Sequence, residues 1–138
     1  MSVEVGAPLP EWTLDSVNPD KMRVFAAIAR DPNPIHWDHG EVAKRGLGER
    51  TINQGPTNLG YIVNMLLAWA GPATLRELVV RFTANVFERD RVVAGGIVTA
   101  VRRVGNERLV DCDVWLDRGD GTRAVAGTAT VALTEGVT

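Results

Sequence analysis

The hydrophobic rhythm of the chain changes twice. Over Glu11 to Val17, apolar and polar residues alternate through Trp12 and Leu14, the period of a strand. From Asn18 the spacing turns helical, with Met22, Phe25, Ala26, Ile28 and Ala29 forming one apolar stripe. Asn18 suits the N-cap, Pro19 the first helical position, and Asp20 the positive end of the helix dipole. Asp31-Pro32-Asn33-Pro34 ends this helix, because each proline pushes the residue before it out of the helical region. Residues 38 to 55 are polar and glycine-rich, with room for one helical turn around Glu41 to Lys44.

A second helix is predicted from Pro56 to Ala70, with Pro56 just inside its start and Gly71-Pro72 stopping it. Leu59, Tyr61, Ile62, Met65, Leu66 and Trp69 cover nearly every face, and a helix apolar all round is a buried helix. From Leu75 the period is two. Leu78, Val80, Phe82 and Ala84 share a face, and Val92 to Val104 is apolar on both faces. Gly95-Gly96 within that run marks a bulge or a close backbone approach. Val110, Cys112, Val114 and Leu116 point inward from a third strand, and Val125, Ala129, Val131 and Leu133 from a last one. Gly105-Asn106 and Asp120-Gly121 make hairpin turns between them. The pattern predicts an α+β layout, an antiparallel sheet with segregated helices. Five or six strands cover only part of a helix that is apolar all round, so a second subunit is expected over the rest.

Composition narrows the function classes. The 138 residues suit one domain, spanning 1–138, and 45% hydrophobic with 23% charged residues excludes a disordered chain. Fifteen basic against 17 acidic residues give a net charge of -2, which argues against a nucleic-acid partner. The longest apolar stretch, Leu59 to Ala70, falls short of the roughly 20 residues that span a bilayer. The first residues lack a basic segment followed by an apolar one, so a cytoplasmic location is expected. Cys112 is alone and reads as a small core residue.

Both histidines lie in one short stretch, Arg30-Asp31-Pro32-Asn33-Pro34-Ile35-His36-Trp37-Asp38-His39. A carboxylate beside an imidazole can orient it, raise its basicity and share a water with it, the apparatus of general acid–base catalysis. Asp31 equally suits capping its own turn, and His36 a structural role. His36, Asp38 and His39 could instead bind a metal, but no second cluster of ligands accompanies them. The second candidate is Gln54-Gly55-Pro56. A helix N-terminus offers unpaired N–H groups and the positive dipole end, here through Gly55 and Thr57, since Pro56 has no N–H. A plain proline-started helix explains the same residues. Asn58 and Asn64 interrupt the apolar helix and either line a site or bond to nearby backbone. Gly46-Leu47-Gly48 lacks the third glycine of a dinucleotide site, and Arg102-Arg103 reads as a solvated strand end.

Asp31-Pro32-Asn33-Pro34-Ile35-His36 resembles the D-x-N-P-x-H motif of the MaoC-like (R)-specific enoyl-CoA hydratases and dehydratases, including the helix just upstream. Thr51 to Pro56 stands where that family has a His-Gly-Met step, and the strand at Leu75 and Glu88-Arg89-Asp90-Arg91-Val92 resemble its later segments. The resemblance implies a hot-dog fold, a sheet wrapped around one long helix at about Pro56 to Ala70. It also implies a dimeric unit, homodimer or heteromer with a related hot-dog subunit, whose sheets join edge to edge. The implied reaction adds water across a trans-2-enoyl thioester of CoA or an acyl-carrier protein, or reverses that addition. Asp31 and His36 would activate the water. Gly55 would bind the thioester carbonyl, with Asn33, Gln54 and Thr57 around the substrate. No metal or redox cofactor is called for, because the thioester itself makes C3 electrophilic. Two departures stand out: Gln54 replaces the family's histidine, and Pro56 replaces a residue with an N–H, which suggests a bulky or unusual acyl group. The alternatives are an acyl-CoA thioesterase on the same fold, and one subunit of a heteromeric hydratase acting on bulky, steroid-like side chains. Ala68-Trp69-Ala70-Gly71-Pro72 is similar to such subunits.

Overall fold

A computed structural model describes residues 3–134. A short strand β1 (Trp12–Leu14) leads to helix α1 (Pro19–Ala29), a 3-10 turn (Pro34–His36) and the short helix α2 (His39–Lys44). The long helix α3 (Gly55–Ala70) follows, then β2 (Leu75–Phe82), β3 (Val92–Val104), β4 (Glu107–Arg118) and β5 (Arg123–Thr134). One antiparallel sheet has the order β1-β3-β4-β5-β2, with β1 and β2 at its edges. It wraps around α3, which packs against every strand. This is the α+β, hot-dog arrangement expected from the sequence.

The predicted caps are present. The Asn18 side chain accepts from the Asp20 N–H at 2.8 Å, and Gly71 stops α3 with φ at 94° and its N–H on the Leu67 carbonyl. Ile62, Met65 and Leu66 of α3 meet Val110, Cys112, Val114 and Leu116 of β4 in the core, with Val125, Ala129 and Val131 of β5. Each large side chain so enclosed contributes roughly 1.5–3 kcal/mol by leaving water. The opposite flank of α3, with Pro56, Asn64 and Ala68, stays exposed in the single chain.

Several details differ from the pattern. Only Trp12–Leu14 of the first strand pairs with β3, because the chain then turns away to hold the Val17 N–H on the Asp90 carbonyl. Gly95 and Gly96 serve close approach. A Cβ on Gly95 would come within 2.6 Å of the Trp115 indole nitrogen, and one on Gly96 within 2.8 Å of the Asp113 carbonyl. The bulge itself falls at Thr99, between the Val98 and Ala100 pairings. In α1 only Met22 and Ala26 are buried, and Ile28 is 75% exposed, because α1 lies over the rest of the molecule by one narrow line of contact. Phe82 shares a face with Leu78 and Val80, yet it is half exposed at the free edge that β2 forms.

Candidate active site

The site is built on the rigid loop between α1 and α2. Helix α1 ends on Arg30, whose left-handed backbone (φ 52°) lets the Asp31 N–H return to the Ala26 carbonyl at 3.0 Å. Asp31 then uses its two carboxylate oxygens differently. Oδ1 accepts the Asn33 N–H at 3.0 Å, folding the chain over Pro32. Oδ2 lies 3.1 Å from His36 Nε2. Asn33 repeats the device one turn on, its Oδ1 accepting from the Ile35 N–H and from Arg45 Nη1 at 3.1 Å. Asn33 therefore shapes the loop from below.

His36 is buried, and its ring is held from behind by a 2.6 Å hydrogen bond from Nδ1 to the Ile52 carbonyl. A carbonyl oxygen can only accept, so Nδ1 carries a proton. The lone pair of the neutral ring then resides on Nε2, on the side of Asp31. Ile52 is itself clamped: its N–H reaches the Ile35 carbonyl, and it bridges Phe87. The ring is thus fixed by backbone on one face and carboxylate on the other.

The remaining candidates separate. Asp38 caps α2 through the Glu41 N–H, and His39 is bonded to Glu88 Oε1 at 2.7 Å. His36, Asp38 and His39 therefore have three different partners and do not converge on one point. Trp37 is half-buried against its surroundings. Arg102 pairs with Asp111 on the sheet.

Three residues past Ile52, α3 begins at Gly55. The Gly55 N–H has no acceptor among the described residues, and a Cβ there would touch the Phe82 ring at 3.4 Å. Thr57 is corrected as a donor: its N–H already bonds the Gln54 carbonyl at 3.1 Å, because the first turn closes tightly. Gln54 is fully buried, its Nε2 donating to the Met22 carbonyl of α1 at 2.8 Å while its Oε1 has no partner. It ties α1 to the start of α3.

Sequence reasoning missed Asn53 and Tyr61. Asn53 donates from Nδ2 to Asn58 Oδ1 at 2.8 Å and to the Tyr61 hydroxyl at 3.1 Å, so the apolar helix carries a polar network on one flank. It also missed Glu88, whose carboxylate receives both His39 and the Thr51 hydroxyl. Burial pushes the Glu88 carboxyl up, but these bonds outweigh it and leave the group below its ordinary value. No spacing rule joins these residues, which meet only through the fold. Beside the network, a cavity of about 480 Å³ opens between α1, β1 and α3, with Thr57 and Asn64 on its α3 wall.

The MaoC-like domain family model matches residues 4–118. The chain belongs to that family. Its structure superposes with a TM-score of 0.83 on the (R)-hydratase from A. caviae involved in PHA biosynthesis, at 27% identity over 96% of this chain and 98% of that one. R-hydratase PhaJ1 from Pseudomonas aeruginosa gives 0.82, at 25% identity over 96% and 84% of the two chains. A chain of the ChsH1-ChsH2 complex from Mycobacterium tuberculosis gives 0.80, at 26% identity over 96% and 99%. No curated protein sequence matches. Among the described residues, no helix is long and apolar enough to cross a membrane.

Proposed function

We propose that this MaoC-like chain hydrates trans-2-enoyl thioesters of CoA or an acyl-carrier protein to 3-hydroxyacyl thioesters, or runs the dehydration. The observation that carries the reading is the placement of His36 Nε2 3.1 Å from Asp31 Oδ2, with Nδ1 pinned on the Ile52 carbonyl. A water held by both groups has a base for its proton and a carboxylate to orient it. Its oxygen bonds to C3 while the C2–C3 π electrons move toward the thioester carbonyl. The proton taken from the water then goes to C2, so the thioester stays intact. The Gly55 N–H, at the positive end of α3, suits the carbonyl oxygen as enolate charge develops, and such a donor typically contributes roughly 3 kcal/mol. Relatives that are (R)-hydratases support this chemistry.

The cavity beside α3 has the size of a drug-sized ligand site, which favours a bulky acyl group over a short one. The free edge of β2, with Val79 and Phe82 each 55% exposed, favours pairing of two sheets edge to edge. The partner is a second copy or a related subunit, and the resemblance to a chain of the ChsH1-ChsH2 complex keeps the latter in view. Following the conjugated enoyl-thioester absorbance across short, long and polycyclic enoyl-CoAs tests the reading. Loss of absorbance that His36→Ala abolishes supports hydration; release of free thiol at the same rate would replace it with a thioesterase.

A further inference from the structure

The cavity between α1, β1 and α3 is apolar on most sides, through Leu14, Met22, Phe25 and the face of Trp12. Trp12 stacks on Tyr61 with ring centroids 5.3 Å apart. Polar side chains share the lining, among them Lys21, Thr57 and Asn64, and two of them, Asn53 and Tyr61, are bonded to each other. Asn53 is only 4% exposed. Its Nδ2 makes both of its side-chain hydrogen bonds, to Asn58 and to the Tyr61 hydroxyl, and its Oδ1 has no partner among the described residues. The Tyr61 oxygen accepts from Asn53, and its own proton has no acceptor among the described residues. One acceptor and one donor are therefore left over, side by side, next to the apolar part of the wall. A ligand that bonds both atoms at once replaces their contacts with water by two fixed hydrogen bonds.

We infer that this cavity takes an apolar group bearing one hydroxyl, which donates to Asn53 Oδ1 and accepts from the Tyr61 phenol. A hydroxyl fits because it is donor and acceptor at once. Turning the Asn53 and Asn58 amides over exchanges the roles, leaving a donor on Asn53 and an acceptor on Tyr61, and a hydroxyl still satisfies both. A plain alkyl chain satisfies neither. Burial raises the Tyr61 phenol above its ordinary value against the hydrogen bond from Asn53, which keeps it protonated and able to donate. Asn53 follows the residue whose carbonyl anchors His36, so on the hydratase reading the hydroxyl belongs to the acyl group. Asn53 and Tyr61 are then specificity-determining residues.

The test needs no turnover. Saturated acyl-CoAs hydroxylated at successive carbons, each beside its deoxy parent, are titrated calorimetrically into the wild-type protein and into Tyr61→Phe. The phenylalanine keeps the stack on Trp12, and the melting temperature checks that the fold is retained. The expected result is one hydroxyl position that tightens binding about tenfold over its parent, a gain that Tyr61→Phe removes. Equal affinity of every pair would overturn the inference, as would a gain indifferent to Tyr61→Phe. If Tyr61→Phe weakens the deoxy and hydroxylated ligands alike, the residues read an amide of the CoA arm and the inference is also wrong. Because these ligands carry no double bond, a preference found in a protein that fails to hydrate any enoyl-CoA would sink the hydratase reading and leave this one standing.

Discussion

The two oxygens of Asp31 allow its turn-closing role and its proposed catalytic role to be separated. Oδ1 closes the turn over Pro32 by accepting the Asn33 N–H, while Oδ2 faces His36 Nε2. Asp31→Asn keeps an oxygen for the turn but turns an amide NH₂ toward Nε2, where it donates to the lone pair and blocks the base. The turn bond survives, so stability should change by less than about 0.5 kcal/mol, while the loss of a positioned acid–base pair should cost roughly 10²- to 10⁴-fold in kcat. Asp31→Ala removes both contacts. It should lose the same activity and also about 1 kcal/mol of stability, the net worth of one hydrogen bond, which lowers Tm by roughly 2–8 °C in a domain of this size. Urea melts and initial rates on one enoyl-CoA, run on both variants, give the four numbers needed. Asp31→Asn retaining rates within about threefold of wild type would refute the catalytic role. Equal destabilisation by both variants would refute the assignment of Oδ1 to the turn.

Other consequences follow from burial and charge. Leu66→Ala empties a fully buried position of α3 against the sheet and should cost about 2–5 kcal/mol, measured by denaturant unfolding. Burial, aided by Asp111 and Asp113, pushes the Cys112 thiol up to about 11, so thiol reagents at mildly alkaline pH should label the native chain slowly and the unfolded chain at once. Glu88 titrates below its ordinary 4.5 in the folded chain, so its contribution is present above that pH and fades as acid protonates it. Stability curves of wild type and Glu88→Gln should therefore converge as pH falls below 4.5, and curves that stay parallel would contradict the assignment.

Much of this was legible because local chemistry and the global fold agree. Asn18-Pro19, Gly55-Pro56 and Gly71-Pro72 each impose a backbone geometry that tertiary contacts then use. The Asp31 to His36 stretch was readable for the same reason: two prolines and two side-chain-capped turns leave the loop little freedom. What stayed hidden depends on non-local packing. The exposure of Ile28 follows from how little of α1 meets the core, which its own periodicity cannot report. The bulge at Thr99 is set by register between β3 and β4, while the glycines that suggested it make room for Trp115 and Leu9. Asn53 and Tyr61 looked like an unremarkable loop residue and one more apolar helix position, and only the fold joins them.

On the proposed chemistry, His36 and Asp31 add water to a carbon–carbon double bond and leave the thioester whole. Turnover of an enoyl-CoA in heavy-oxygen water, with mass analysis of the product, tests it most directly. Hydration puts the label in the C3 hydroxyl of an intact 3-hydroxyacyl thioester, and none is expected with His36→Ala or Asp31→Asn. Label in a free carboxylate beside released CoA would contradict it.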